Sequence, residues 1–478
     1  MKTMTCEIET RGGGTVRVAG AHVDRLARQL AGVLLWPGEA GYEWTRKIWN
    51  GMIDRRPALI ARCETEEDVA LCVNFAREHE ARFSIRGGGH NVAGSAIRDN
   101  AMMIDLSLMK SIEVDPSNRR VRVQAGATLG DLDRETQLHG LAVPVGLVSA
   151  TGIAGLTLHG GVGWLTRQYG LTADNLEAVE LVTAEGKSMR ASADENADLF
   201  WALQGGGGNF AAVTAFEFRA YPVGPKVWFA APFYPAERSA EVLGFFRDFM
   251  KSTSDQLGAV AVCWSAPSVP EIPEEQRGKP VVILLACYTG DFERGEAAIE
   301  PLRRIGNPLM DLSGAMDFVD VQRFLDADYP DGGLYYWKSL YLETLSDEAI
   351  CALSSSAAVR PSAESSIDIW ALGGALSRHG DNGGPLVSRQ SPYLLGIEAN
   401  WHDPEDSQAN IAWTREVHRD MRRFSRGTTY LNFPGFAEEG AEMLRLAYGD
   451  NYVRLQEIKA KYDPDNVFQD QLPIESTV

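Results

Sequence analysis

A histidine behind three consecutive glycines, Arg86-Gly87-Gly88-Gly89-His90-Asn91, is the stretch of this chain best suited to chemistry. Glycine permits backbone angles closed to residues with a Cβ and lets main-chain N–H groups approach an anionic ligand. The imidazole that follows is then held beside whatever those amides bind. Two further clusters, Gly160-Gly161-Val162-Gly163 and Gly205-Gly206-Gly207-Gly208-Asn209, lie downstream. Glycine-lined turns this close together point to one extended, phosphate-bearing ligand threaded through a single lobe. Other chemistries fit poorly. The relaxed GxGxxG at Gly206-Gly207-Gly208-Asn209-Phe210-Ala211 has helix-like residues before it and strand-like residues after it, the reverse of a Rossmann turn. Gly186-Lys187-Ser188 lacks the glycine a P-loop needs upstream, where Leu181 stands. The eight histidines are dispersed without HExxH, so no metal is expected, and GxSxG is absent. What survives is an enzyme whose large organic cofactor carries the chemistry.

The elements that must position these loops follow from periodicity. An apolar strand is predicted over 58–62 and a helix from the N-cap Thr65 to about Glu78. The strand 83–86 then delivers the glycine loop. Strand 102–106, an edge hairpin over 112–115 and 121–125, and a helix capped by Thr128 come next. Strands over 179–183 and 213–220, with a short helix over 198–204 between them, complete a mixed α+β lobe. Beyond Pro222 the strands lengthen: 227–230, 259–264, 281–288, 366–372 and 393–401. Amphipathic helices over 240–250, 294–305 and 406–423 lie between them. This pattern predicts an antiparallel sheet with one face covered by helices and the other free for a ligand. Loop signals cluster at 267–280 and 378–385. The expected division is an N-terminal segment 1–53, a cofactor domain 54–224, a substrate domain 225–430 and a C-terminal segment 431–478 docked back on the first lobe. Val23 to Leu35 has helical spacing, but no chemistry attaches to the first 50 residues.

Composition limits the partners. The 478 residues are long enough for two or three domains, and 45% hydrophobic with 23% charged residues is ordinary for a globular protein. Lys and Arg total 46 against 65 Asp and Glu, a net charge of -19, which argues against nucleic acid and against an anionic membrane surface. The six cysteines show neither CxxC nor zinc spacing and read as scattered thiols. No signal peptide and no spanning segment is expected, and a reducing cytoplasm is the expected compartment.

The residues 86–95, Arg-Gly-Gly-Gly-His-Asn-Val-Ala-Gly-Ser, resemble the histidyl-flavin loop of FAD-linked oxidases of the vanillyl-alcohol oxidase type, in the berberine-bridge-enzyme-like branch. The likeness continues through Ile104-Asp105-Leu106-Ser107, Gly152-Ile153-Ala154-Gly155 and Gly160-Gly161-Val162-Gly163-Trp164-Leu165. It runs on through Tyr169-Gly170-Leu171-Thr172-Ala173-Asp174-Asn175, the stretch from Asp198 to Phe210, and a C-terminal signature ending at Tyr462-Asp463-Pro464-Asp465-Asn466-Val467-Phe468. It implies a two-lobed α+β protein: an FAD-binding lobe of the PCMH type and a substrate domain of antiparallel sheet covered by helices. It also implies FAD bound through an 8α-histidyl link at His90; the plain alternative is a histidine that only hydrogen-bonds flavin or backbone. The cysteine that gives some members a second link aligns with Val148, so a single attachment is expected. Further cofactor contacts are implied for Arg86, Gly87, Gly88, Gly89, Asn91, Ser95, Thr151, Gly152, Gly155, Gly161, Asn209, Val213, Asn432 and Asn466.

Hydride transfer to the flavin goes with a base for the substrate's O–H or N–H proton. Strand alternation puts Glu398 and Asn400 on one face, making Glu398 the candidate base or else a solvated carboxylate. By resemblance Tyr430 stands where relatives place a catalytic tyrosine. Tyr336, Trp337 and Lys338 form a candidate pocket wall; core aromatics with a surface lysine are the bland alternative. Thr151 matches a position where a small residue goes with oxidases and leucine with dehydrogenases. The expected reaction is oxidation of a C–H beside nitrogen or oxygen in a small molecule, with O2 reduced to H2O2. A dehydrogenase of the same fold, or a non-catalytic flavin-binding protein, is the alternative. The substrate and the oligomeric state are left open.

Overall fold

The computed structural model describes residues 5–268, 270, 272–378, 383–469 and 472–476. The first lobe is built on two sheets. In the smaller one, Met102–Asp105 lies between two parallel neighbours, Leu59–Arg62 and Phe83–Arg86, in a register that sets Arg86 beside Asp105. The glycine loop therefore leaves the carboxyl end of a parallel strand, where open α/β sheets present their ligand crevices. The helix Glu66–Glu78 starts at Thr65, whose hydroxyl accepts from Asp68 N while the Asp68 carboxylate accepts from Thr65 N. The same box, Thr128 with Asp131, starts Leu129–Gln137. The second sheet is antiparallel, in the order Ser188–Ser192, Leu176–Val182, Ala212–Arg219, Arg120–Gln124, Ile112–Asp115. Its last two strands are the expected edge hairpin.

The second lobe is a nine-stranded sheet whose centre runs Pro280–Tyr288, Leu257–Ser265, Ser366–Ala371, Tyr393–Trp401, Leu334–Leu342, all antiparallel. Side chains alternate across it. Ala259, Ala261, Cys263, Ile367, Ile369, Leu395 and Ile397 point to the helices Ser239–Met250, Asp347–Ala358 and Ser407–Met421, sharing a core with Phe246, Leu353 and Trp413. The opposite face carries Trp337, Asp368, Trp370, Leu394 and Glu398, which look into a cavity between the lobes. One covered face and one face on a ligand space is the predicted arrangement.

Two buried ionic contacts hold this geometry. Arg389 of the second lobe makes two 2.7 Å hydrogen bonds to the Asp174 carboxylate of the first, with side chains 4% and 1% exposed. Replacing Arg389 by methionine strands a buried carboxylate and is expected to cost about 3–5 kcal/mol, read as a lower midpoint in denaturant melts. At the chain end, Lys459 Nζ donates to Asn209 O, Phe468 O and the Asp463 carboxylate, docking the C-terminal segment on the first lobe.

The first fifty residues depart from the expectation. The helix Gly20–Gln29 stops, and Val33–Leu35 instead pairs antiparallel with Leu59–Arg62. The stop is enforced at Gly32, where a Cβ would lie 1.9 Å from Arg62 O, and by Ala31 N and Gly32 N donating to the Asp68 carboxylate. Residues 269, 271 and 379–382, inside the two predicted loop regions, lie outside the described residues. Among the described residues no helix is long and apolar enough to cross a membrane.

Candidate active site

One cavity runs between the lobes. From the first lobe it takes the glycine loop, Val148, Thr151, Gly152, Gly155, His159, Gly208 and Val213; from the second, Tyr329, Trp337, Asp368, Trp370, Leu394 and Glu398; from the C-terminal segment, Tyr430, Asn432, Phe433 and Phe468. The loop is shaped by contacts only glycine allows. A Cβ on Gly88 would stand 2.4 Å from Gly152 N, and one on Gly152 2.3 Å from Gly88 N, so the two backbones touch directly. Asn91 locks the turn: its Oδ1 accepts from Ala93 N at 3.0 Å, Ser95 N at 3.4 Å and Ser95 Oγ at 3.1 Å.

His90 shows a flank to the cavity, while its Nε2 is buried with no hydrogen-bond partner. Desolvation pushes its pKa down to about 3, so the imidazole is neutral at physiological pH. Gly155 has open space where a Cβ would be. An orphaned, neutral ring nitrogen beside a glycine-lined cleft suits a large flat ligand held by an imidazole, and FAD fits these residues.

The second-lobe wall carries a pair of acids. Glu398 and Asp368 share a sheet face and meet over Gly396, the cross-strand partner of Asp368. A Cβ there would be 3.1 Å from Glu398 Oε1 and 3.5 Å from Asp368 Cβ. Both carboxyls are buried, 3% and 4% exposed, and no cation pairs with either among the described residues. Burial raises Asp368 to about 7; burial and then the Asp368 charge raise Glu398 well above the carboxylate range. Tyr329 Oη donates to Glu398 Oε2 at 2.9 Å, whereas Asp368 Oδ1 has no partner. Tyr430 is the third polar group. Its hydroxyl accepts from Val162 N at 3.1 Å, and burial raises its pKa to about 12.

The cavity thus brings together Gly87, Gly88, Gly89, His90, Asn91, Ser95, Thr151, Gly152, Gly155, Val213, Trp337, Glu398, Tyr430 and Asn432 from the sequence-derived candidates. It does not include the rest. Tyr336 and Lys338 alternate to the helix side of the sheet, where they bond Glu438 and Glu439, so their pocket role is corrected. Asn400 shares the face of Glu398 but supports the wall, its Oδ1 accepting from Trp337 Nε1 at 2.7 Å. Arg86 braces the loop by donating to Thr45 O and faces Asp105. Gly161 packs on Thr172, and Asn209 ties the chain end through Leu472 O. Asn466 sits in the turn before Phe468, and Phe468 lines the cavity in its place.

Sequence reasoning missed Asp368, Tyr329 and Trp370. Ser366-Ile367-Asp368-Ile369-Trp370 alternates cleanly, and a carboxylate on the face opposite the isoleucines was the available signal. Trp49, from the segment left without a role, stacks on His90 at 4.1 Å between ring centroids; nothing in its local sequence marks it.

Comparison with known proteins gives the family. The family described as FAD binding domain matches residues 57–192, and that described as berberine and berberine like matches 429–475. An FAD-linked oxidoreductase of Dictyostelium discoideum is 30% identical over 455 residues, covering 95% of this chain and 96% of that one. The (R)-6-hydroxynicotine oxidase of Paenarthrobacter nicotinovorans is 30% identical, with 92% and 96% covered. The solved 6-hydroxy-D-nicotine oxidase of Arthrobacter nicotinovorans superposes with a TM-score of 0.81 at 28% identity, over 94% of this chain and 98% of its own. With the two lobes, the histidyl glycine loop and the C-terminal return all in place, this chain belongs to the FAD-linked oxidoreductases, in their berberine-bridge-enzyme-like branch.

Proposed function

We propose that the protein is an FAD-dependent oxidase of a small basic organic molecule, its flavin fastened once through His90 and reoxidised by O2 to give H2O2. The observation that carries the substrate side is the buried acid pair Asp368–Glu398, which no cation pairs among the described residues, in a wall of Trp337, Trp370, Tyr329 and Phe433. Burial disfavours the ionised form of this pair, and a ligand that brings a positive charge is the one that stabilises it. Of the C–H bonds next to nitrogen or oxygen, the acid pair therefore favours those of an amine. Bound FAD supplies the two-electron acceptor.

The chain's own residues do the remaining work. Glu398 takes the proton of the substrate's N–H or O–H, its affinity for that proton raised by burial and by Asp368. Tyr329 holds one oxygen of Glu398 in place. Tyr430, fixed by Val162 N, orients the substrate. The amides of residues 87–91 with Ser95 serve the pyrophosphate, Gly152 and Gly155 the ring, and Val213 the adenosine end. Val148 has no sulfur for a second link, and the modest Thr151 leaves room for oxygen. The domain limits 1–53, 54–224, 225–430 and 431–478 belong to the same proposal, as does a cytoplasmic setting without nucleic-acid or membrane partners.

The test is a panel of arylalkylamines and matching alcohols, followed as O2 uptake and H2O2 release. Amines are expected to turn over and to bleach the flavin when air is excluded. Bleaching without O2 uptake would make the protein a dehydrogenase, and no bleaching by any compound would remove the enzymatic reading.

A further inference from the structure

We infer that Trp49 is a positioning residue that holds the His90 imidazole for covalent attachment of the flavin, an inference that rests on the His90 attachment proposed above. The indole lies nearly parallel to the imidazole, 17° between planes and 4.1 Å between centroids; Tyr335 stacks on it at 3.8 Å and 9°, and Trp337 meets it edge-on at 5.1 Å. Trp49 is 3% exposed, so the stack also keeps water from one face of the histidine. The indole is itself fixed from both lobes. Its backbone N donates to Gly89 O at 3.2 Å, Gly332 N donates to its carbonyl at 2.9 Å, and its Nε1 donates to Tyr329 O at 3.0 Å. Asn50 adds bonds to Val92 O at 2.7 Å and Tyr335 O at 2.9 Å.

The physical need is clear from what the imidazole lacks. His90 Nε2 has no hydrogen-bond partner, and the ring's polar contact is with its own backbone alone, which leaves the ring plane to packing. A ring with no polar tether at that nitrogen takes its orientation from packing, and Trp49 is the aromatic surface stacked on it. Rate falls steeply when a nucleophile is free to turn away from its target. Attachment replaces the imidazole N–H and one hydrogen of the 8α-methyl carbon by an N–C bond. The two hydrogens and two electrons go to the isoalloxazine and leave to O2, the oxidant of the proposed reaction, as H2O2. Trp49 takes no part in that transfer; it fixes the angle at which the nitrogen meets the carbon.

The test compares wild type, Trp49→Phe and Trp49→Leu, each purified and incubated with excess FAD. The covalently flavinylated fraction is followed by intact mass, alongside thermal melting and the affinity for FAD before attachment. Trp49→Leu is expected to bind FAD with unchanged affinity but to attach it about a hundredfold more slowly. Trp49→Phe, which keeps a stacking face, restores attachment to within a few-fold of wild type. If leucine does not fold, Trp49→Met, which fills more of the space without a ring, takes its place. Equal attachment rates in wild type and the non-aromatic variant overturn the inference, as does slow attachment that phenylalanine leaves unrescued. A wild-type chain with no covalent flavin overturns it differently, by removing the attachment itself.

Discussion

Glu398→Gln is expected to slow reduction of the flavin by substrate about a hundred- to ten-thousandfold, the range for loss of a positioned general base. That is about 3–5 kcal/mol of transition-state stabilisation. Glutamine keeps the size and the bond from Tyr329 Oη, so the loss falls on proton acceptance and not on packing. Stopped-flow bleaching under anaerobic conditions reads it, and a rate within threefold of wild type would remove Glu398 from the role. The pH profile gives the sign independently. The base works deprotonated, so kcat/KM falls as pH drops through the titration of the pair, whose macroscopic value belongs to both carboxyls together. Asp368→Asn removes the negative neighbour that helps raise Glu398, so it shifts this acid limb to lower pH. A limb that stays in place, or moves up, contradicts the coupling.

The second large effect concerns the direct backbone contact between Gly88 and Gly152. A Cβ at Gly88 meets Gly152 N at 2.4 Å and Gly152 Cα at 2.5 Å, and neither backbone can swing aside as a flexible side chain would. Gly88→Ala is expected to cost about 3 kcal/mol and to give a protein with a lower Tm and little bound flavin. Gly155→Ala makes the contrast. Its Cβ meets nothing within 4 Å, and alanine suits the helix Ile153–Leu158, so the fold survives. The added methyl group intrudes on the cleft instead, so flavin content falls while the apoprotein melts as before. Equal thermal stability and flavin content in Gly88→Ala and wild type would show that the two loops do not meet as described.

Much of this was legible before any coordinates. Capping boxes at Thr65 and Thr128 and the strand alternation around Glu398 are local signals, and they placed the elements within a few residues. The first-lobe half of the cavity was legible because glycine loops and their histidine are written consecutively in the chain. The second-lobe half was legible only in part, because it is assembled across strands. Tyr336, Trp337 and Lys338 are consecutive, and only the sheet's orientation decides that Trp337 faces the cavity while its neighbours face Glu438 and Glu439. Asp368 meets Glu398 through cross-strand register, which single-strand periodicity does not contain. Trp49 was invisible for the same reason, its partners being His90 and Tyr335, far along the chain.

The central claim is that FAD is fastened to His90 alone, and a tryptic digest of the yellow protein tests it most directly. Cleavage after Arg86 and Arg98 releases residues 87–98, a peptide with His90 as its one titratable ring. The account predicts that this peptide carries all of the visible flavin absorbance and weighs one FAD less two hydrogens more than its sequence. A colourless 87–98 peptide, or flavin on any other peptide, would contradict it.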